Sequence, residues 1–191
     1  MRCFIAICLP HEIENRLRSL IEQLKPLSHA VKWVKPENLH LTLKFLGEAD
    51  EDKAPEITGA LRDVTAGHKT FTLTAHGTGV FPNANWPKVV WVGLDSGNGL
   101  LALHSDIESA MEPLGFNPEK RAFTAHLTIG RIKAIRNRSD KPLQLEHLMH
   151  EVQARLKEDF GSFETREIVL FKSDLKSSGA VHTVLSKAPL G

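Results

Sequence analysis

His40-Leu41-Thr42-Leu43-Lys44-Phe45-Leu46-Gly47 returns 86 residues later as His126-Leu127-Thr128-Ile129-Gly130-Arg131. Each copy alternates apolar and polar positions with period two, which makes each a β-strand. Side chains along a strand point alternately to opposite faces. His40 and Thr42 therefore share one face, and Leu41, Leu43 and Phe45 share the other. His126 and Thr128 pair likewise, opposite Leu127 and Ile129. The apolar faces have a core to fill. The His–Thr faces need a chemical explanation.

Imidazole titrates near neutral pH, so two histidines at one site can serve as general base and general acid. A Thr hydroxyl two residues on stands beside each ring and can donate to a shared anion. Two such units facing one another suit phosphoryl transfer, in which charge spreads over the non-bridging oxygens. One His-x-Thr alone is usually a half-buried surface pair. Two copies in apolar strands, each near the middle of its half of the chain, point to one shared site.

The rest of the chain narrows the class. A length of 191 residues allows one domain, or two small lobes sharing a core. Hydrophobic content of 41% and charged content of 25% are ordinary globular values. A formal charge of +1 argues against a large sequence-independent nucleic-acid groove, though not against recognition of an RNA end. Cys3 and Cys8 lie five residues apart in one predicted strand, hence on opposite faces, and are expected to stay unbridged in a reducing compartment. The apolar run before Pro10 is too short for a signal peptide or membrane span, so a cytoplasmic protein without a membrane partner is expected.

Strands are expected at 3–9, at Val31 to Val34, from Phe71 to Phe81 and from Val89 to Leu94, beside the two motif strands. Helices are expected at 11–25, with Ile13, Leu17, Leu20, Ile21 and Leu24 inward, and from Asp52 to Gly67, with Ile57, Leu61 and Val64 inward. A third runs from Asn98 to about Leu114, with Leu101, Leu103, Ile107 and Met111 inward. A fourth runs from Leu143 to about Phe160, starting at Pro142. Two last strands are expected at 163–172 and 180–185. Trp33 is assigned to the core. The basic segment with Lys133, Arg136, Arg138 and Lys141 reads either as a cover over an RNA backbone or as a solvated loop. The pattern gives an α+β fold with mixed or antiparallel sheets.

On these motifs the chain resembles the two-histidine (2H) phosphoesterase superfamily, and within it the RNA 2′,3′-cyclic phosphodiesterases, also described as 2′-5′ RNA ligases. Arg2-Cys3-Phe4-Ile5-Ala6-Ile7, Gly79-Val80-Phe81-Pro82, Val90-Trp91-Val92-Gly93, Ser173-Asp174-Leu175 and Gly179-Ala180 extend the resemblance over nearly the whole chain. It implies a single bilobal domain over 1–191, with two pseudo-symmetric lobes of antiparallel or mixed sheet, flanking helices and a central cleft. It implies metal-independent hydrolysis of RNA 2′,3′-cyclic phosphate ends to 2′-phosphomonoesters, with reversible 2′-5′ RNA ligation as a further activity. His40 would be the proton donor and His126 the acceptor, with Thr42 and Thr128 binding the non-bridging oxygens. No cofactor or metal is expected. The expected partner is an RNA with a 2′,3′-cyclic phosphate end, with tRNA fragments and small cyclic nucleotides as candidate sources, acted on by a monomer.

Arg131 is a further phosphate-binding candidate. Strict alternation puts it opposite His126, and a bulge at Gly130 would turn it back. Lys44 shares the His40 face by alternation and is a candidate for contact with substrate or solvent. Two positions depart from the family pattern: Ala125 stands where a proline is usual, and His182 where a tyrosine is usual. His182 and the other non-motif histidines are assigned to surface or core. His147 and His150, three apart on a predicted helix, lack a matching ligand cluster. The competing readings are a metal-dependent hydrolase with His40 and His126 as ligands, a non-catalytic RNA-end binder, and a phosphodiesterase for small cyclic nucleotides.

Overall fold

The computed structural model describes residues 1–133, 143–177 and 179–191. Arg136, Arg138 and Lys141 of the basic segment, and the predicted helix start at Pro142, lie outside the described residues. The strands are β1 (Arg2–Cys8), β2 (Val31–Trp33), β3 (His40–Glu48), β4 (Phe71–Phe81), β5 (Val89–Asp95), β6 (His126–Ile132), β7 (Asp159–Thr165), β8 (Glu167–Lys176) and β9 (Gly179–Pro189). The helices are α1 (His11–Leu24), α2 (Ala54–Ala66), α3 (Asn98–Met111) and α4 (Leu143–Ala154). No helix among the described residues is long and apolar enough to cross a membrane.

The strands form one sheet in the order β7-β4-β5-β6-β3-β1-β8-β9, with β2 added against β6. The pairings are antiparallel, so the antiparallel alternative of the α+β expectation holds. The two halves of the order correspond strand for strand. Outward from the central β6–β3 pair, β5 answers β1, β4 answers β8 and β7 answers β9. This is the expected two-lobe pseudo-symmetry, with a motif strand from each lobe at the centre. β3 and β6 pair only at Leu41 and Leu127. Beyond that point the same edge of β6 pairs with β2 instead, through Gly130, Arg131 and Ile132. The two motif strands therefore touch and diverge.

One face of the sheet is packed by helices. Ile5, Ile7, Leu41, Leu43, Val90, Val92, Leu127 and Ile129 are buried there, together with Ile13, Leu17 and Leu24 of α1, Ile57 and Leu61 of α2, and Leu103 and Ile107 of α3. An antiparallel sheet commonly packs one face and leaves the other to solvent or ligand. The second face carries a separate small cluster of Phe4, Ala6, Val169 and Phe171.

Several expectations are corrected. In α3 the inward residue is Leu100, and Leu101 is 54% exposed. Leu100 with Leu103, Ile107 and Met111 keeps helical spacing, and choosing its neighbour rotated the face by one residue. The fourth helix stops at Ala154. Asp159 already opens β7, and the predicted strand 163–172 is two strands separated at Arg166. Phe160 and Phe163 are both buried, and their spacing of three imitates a helical repeat.

The most consequential difference lies inside the motif strands. Between β1 and β3 the register shifts as Ile5 pairs with Lys44 and Ala6 with Thr42, leaving Leu43 as an extra residue. Between β5 and β6 it shifts as Val90 pairs with Gly130 and Trp91 with Thr128, leaving Ile129 as the extra residue. Both motif copies carry a bulge at the same place. A bulge adds one residue to one strand and inverts the alternation beyond it. Phe45, expected in the core, is 67% exposed, and Lys44, expected on the His40 face, is buried at 4%. Arg131 is correspondingly turned onto the His126 face and is exposed. Gly130 is required by packing: a Cβ there would meet Val31 Cγ1 at 2.7 Å and the Trp33 ring at 3.0 Å.

Candidate active site

The Leu41–Leu127 pairing places the motif residues across from one another. One residue along in either direction, antiparallel register sets His40 beside Thr128 and Thr42 beside His126. The four side chains cross over the local twofold. All four are half-buried, on the face away from the helices.

Both imidazoles are oriented in the same way. His40 Nδ1 lies 2.8 Å from the carbonyl oxygen of Asn38. His126 Nδ1 lies 2.7 Å from that of Thr124. A carbonyl only accepts, so each Nδ1 carries a proton and donates it. Nε2 is left as the working nitrogen, a base when the ring is neutral and an acid when it is charged. The Asn38 side chain, in turn, donates to the Ala180 carbonyl at 3.0 Å and ties β9 to the base of His40.

The two rings sit in different surroundings. His40 stacks on Phe4 with centroids 4.8 Å apart and meets the His182 ring edge-on at 5.4 Å. His182 also packs edge-on against Phe4 at 4.9 Å. Burial pushes His40 down to about 4, and the neighbouring His182 and then Arg131 push the same way, against the hydrogen bond to Asn38. His182 is itself lowered by burial. His126 meets Phe81 edge-on at 5.0 Å, and Phe81 packs on Trp91 at 5.2 Å. The Trp91 ring fits because residue 79 is glycine, where a Cβ would come within 2.3 Å of it.

Among the sequence candidates, His40, Thr42, His126, Thr128 and Arg131 come together on one face. Lys44 does not. Its ammonium lies 2.5 Å from Glu108 Oε2 of α3 and donates to the Asn117 carbonyl at 3.0 Å. The same Glu108 oxygen accepts from the Glu119 backbone N–H at 3.1 Å. Lys44 is thus a bolt between β3 and the segment leading into β6. Cys3 and Cys8 are both free, Cys3 buried and Cys8 exposed. Among the described residues no group of three or more His, Cys, Asp or Glu side chains is placed to hold a metal ion. A cavity of about 430 Å³ lies at the far end of β3, against Phe45, Lys53 and Phe116, and none of the four motif His and Thr residues lines it.

Sequence reasoning missed the shell around the rings: Asn38, Thr124, Phe4, Phe81, Phe171, Trp91 and His182. Two of these act through backbone carbonyls, which every residue has, so no residue type marks them. His182 had a signal, since it replaced a tyrosine just after Gly179-Ala180.

The chain matches the profile of LigT-like phosphoesterases twice, over residues 7–91 and 92–182. The division falls within β5 and gives each copy one motif. The chain is 34% identical to the RNA 2′,3′-cyclic phosphodiesterase of Methanothermobacter thermautotrophicus, over 96% of this chain and 95% of the relative. It is 33% identical to that of Thermotoga maritima, over 97% and 93%. A crystal structure from Thermus thermophilus superposes with a TM-score of 0.81 at 29% identity, covering 100% of this chain and 98% of that one. The structure of Escherichia coli LigT with 3′-AMP gives 0.77 at 26% identity, over 99% and 97%.

Proposed function

The chain belongs to the LigT-like phosphoesterase family, and from that premise we propose that it hydrolyses 2′,3′-cyclic phosphate ends of RNA to 2′-phosphomonoesters. The observation that carries this reading is the matched pair of imidazoles. Each is held at Nδ1 by a carbonyl two residues back, which frees Nε2 on the face shared with the two threonines.

The step balances without a further reactant. A water oxygen bonds to phosphorus as His126 Nε2 takes its proton. The bond from phosphorus to O3′ breaks, and His40 Nε2–H protonates the leaving oxygen. Thr42 and Thr128 donate to the non-bridging oxygens, and the Arg131 guanidinium balances their charge. The product keeps its phosphate on O2′. With an RNA 5′-hydroxyl in place of water, the same groups in the same roles form a 2′-5′ bond, and their roles exchange when that bond is cleaved back to the cyclic phosphate.

The assignment of His40 as donor meets an electrostatic condition. With its proton affinity lowered to about 4, His40 is neutral at pH 7 in the empty cleft. A phosphate anion beside it favours the charged form. The acid is therefore loaded as substrate binds. We place this activity in the cytoplasm, carried by one chain acting as a monomer.

The test is product analysis on a short RNA ending in a 2′,3′-cyclic phosphate, in EDTA. A 2′-phosphate end supports the reading. A 3′-phosphate end would reverse the leaving oxygen, and loss of activity in EDTA would bring a metal into the mechanism.

A further inference from the structure

Charge is not spread evenly over this nearly neutral chain. Residues 25–36, 64–94 and 120–133 contain no Asp or Glu, although the whole chain has 23. Those three stretches contain β2, β6 and all of β5 but its last residue, Asp95, and the three strands meet at Arg131. β2 lies against the end of β6, with Lys32 directly opposite Arg131. It is held there at both ends, by Val34 N–H to the Ile129 carbonyl at 2.9 Å and Lys133 N–H to the Ala30 carbonyl at 2.8 Å.

Alternation shows where Lys32 points. Val31 and Trp33 pack towards the core, with Gly130 and Ile132 of β6. Lys32 and Arg131 lie between them and point the other way, onto the face of His126 and Thr128. Both are exposed. Directly opposed side chains on one face of an antiparallel pair are neighbours, and like charges there repel. Among the described residues neither forms an ion pair. Two cations held together at the edge of a phosphate site, with no carboxylate in β2, in β6 or in β5 before its last residue, are arranged for an anion.

We propose that Lys32, beside Arg131, forms a second phosphate subsite that takes the phosphodiester on the 5′ side of the terminal nucleoside. The inference rests on the reading of the motif face as a cyclic-phosphate site. Lys32 stands one strand spacing, about 4.8 Å, beyond Arg131, on the scale of one nucleotide step. A 2′,3′-cyclic mononucleotide has no phosphate to place there. An RNA end does, so Lys32 makes the site prefer the end of a chain to a free cyclic nucleotide.

The test compares a short RNA ending in a 2′,3′-cyclic phosphate with 2′,3′-cyclic AMP, in wild type, Lys32→Ala and Lys32→Arg. In Lys32→Ala the preference for RNA, as a ratio of kcat/KM values, should fall about 10-fold. The salt dependence of kcat/KM for RNA should become shallower by about 0.7 to 1 in log–log slope. Lys32→Arg should restore both. The melting temperature of Lys32→Ala should not fall, because one of two repelling charges is gone. An unchanged preference, or an equal loss on both substrates, overturns the proposal. Fluorescence anisotropy with an RNA ending in a 2′-phosphate, competed by 2′-AMP, separates the two readings. If wild type hydrolyses neither substrate but binds the RNA more tightly, and Lys32→Ala removes that gain, the subsite stands and the hydrolytic reading falls. Equal affinity of wild type for RNA and mononucleotide removes the subsite.

Discussion

A histidine acts through the nitrogen its neighbours leave free, and here both rings are left with Nε2. The sequence made His40 and His126 visible because a period-two pattern placed each beside a threonine. It could not show that the carbonyls of Asn38 and Thr124 fix the tautomers, because backbone partners leave no trace in residue type. Nor could it show that His182, 142 positions from His40, closes against it. Burial and His182 together hold His40 neutral, which has a consequence for stability. The unfolded chain takes up a proton at His40 near pH 6.5, and the folded chain only near 4. Stability linked to this group is full above pH 6.5 and is lost as pH falls through 4. Denaturant unfolding between pH 7 and pH 4 should therefore show a smaller loss of stability in His40→Gln than in wild type, and parallel curves would contradict the linkage. His104 and His182, also lowered by burial, remain in both proteins and leave the comparison fair. Replacing His182 by Phe keeps an aromatic ring against His40 and removes its charge. NMR titration of the His40 ring should then move towards the ordinary histidine value, and an unmoved midpoint would deny His182 that influence.

At the scale of elements, periodicity located the two motif strands, α1 to its last buried residue, and most of the order. It failed where the period itself breaks. A β-bulge changes parity without a residue type that announces it: the bulge in β3 moved Phe45 out and Lys44 in, and the one in β6 turned Arg131. Arg131 was recoverable only because Gly130 suggested a bulge; no glycine marks the equivalent position in β3, where Lys44 stands. Buried beside Glu108, Lys44 joins β3 to α3 and, through Asn117 and Glu119, to the approach to β6. Removing one member of a buried pair strands the other charge and costs about 3–5 kcal/mol. Chemical denaturation of Lys44→Met should show a loss of that order, and Lys44→Met/Glu108→Leu should recover much of it. A single variant as stable as wild type would mean that Glu108 is satisfied without the lysine.

Over the whole molecule, the repeat in the sequence is the pseudo-twofold of the sheet. Strand order β7-β4-β5-β6-β3-β1-β8-β9 divides into two corresponding halves at the β6–β3 pair, and the axis runs between Leu41 and Leu127. Symmetry brings the two histidines together, and departures from it give them different surroundings. One ring is packed against Phe4 and His182, the other against Phe81. The position after the bulge is Phe45 in one lobe and Arg131 in the other. Overall composition could not expose this, because a net charge of +1 averages the acid-free stretches 25–36, 64–94 and 120–133 with acidic segments elsewhere. Turnover of an RNA 2′,3′-cyclic phosphate by His40→Ala and His126→Ala, each checked for an intact fold by circular dichroism, is the most direct test of the paired-histidine mechanism. Each variant should lose at least about 10²-fold in kcat. A folded variant of either histidine that turns over at the wild-type rate would contradict the mechanism.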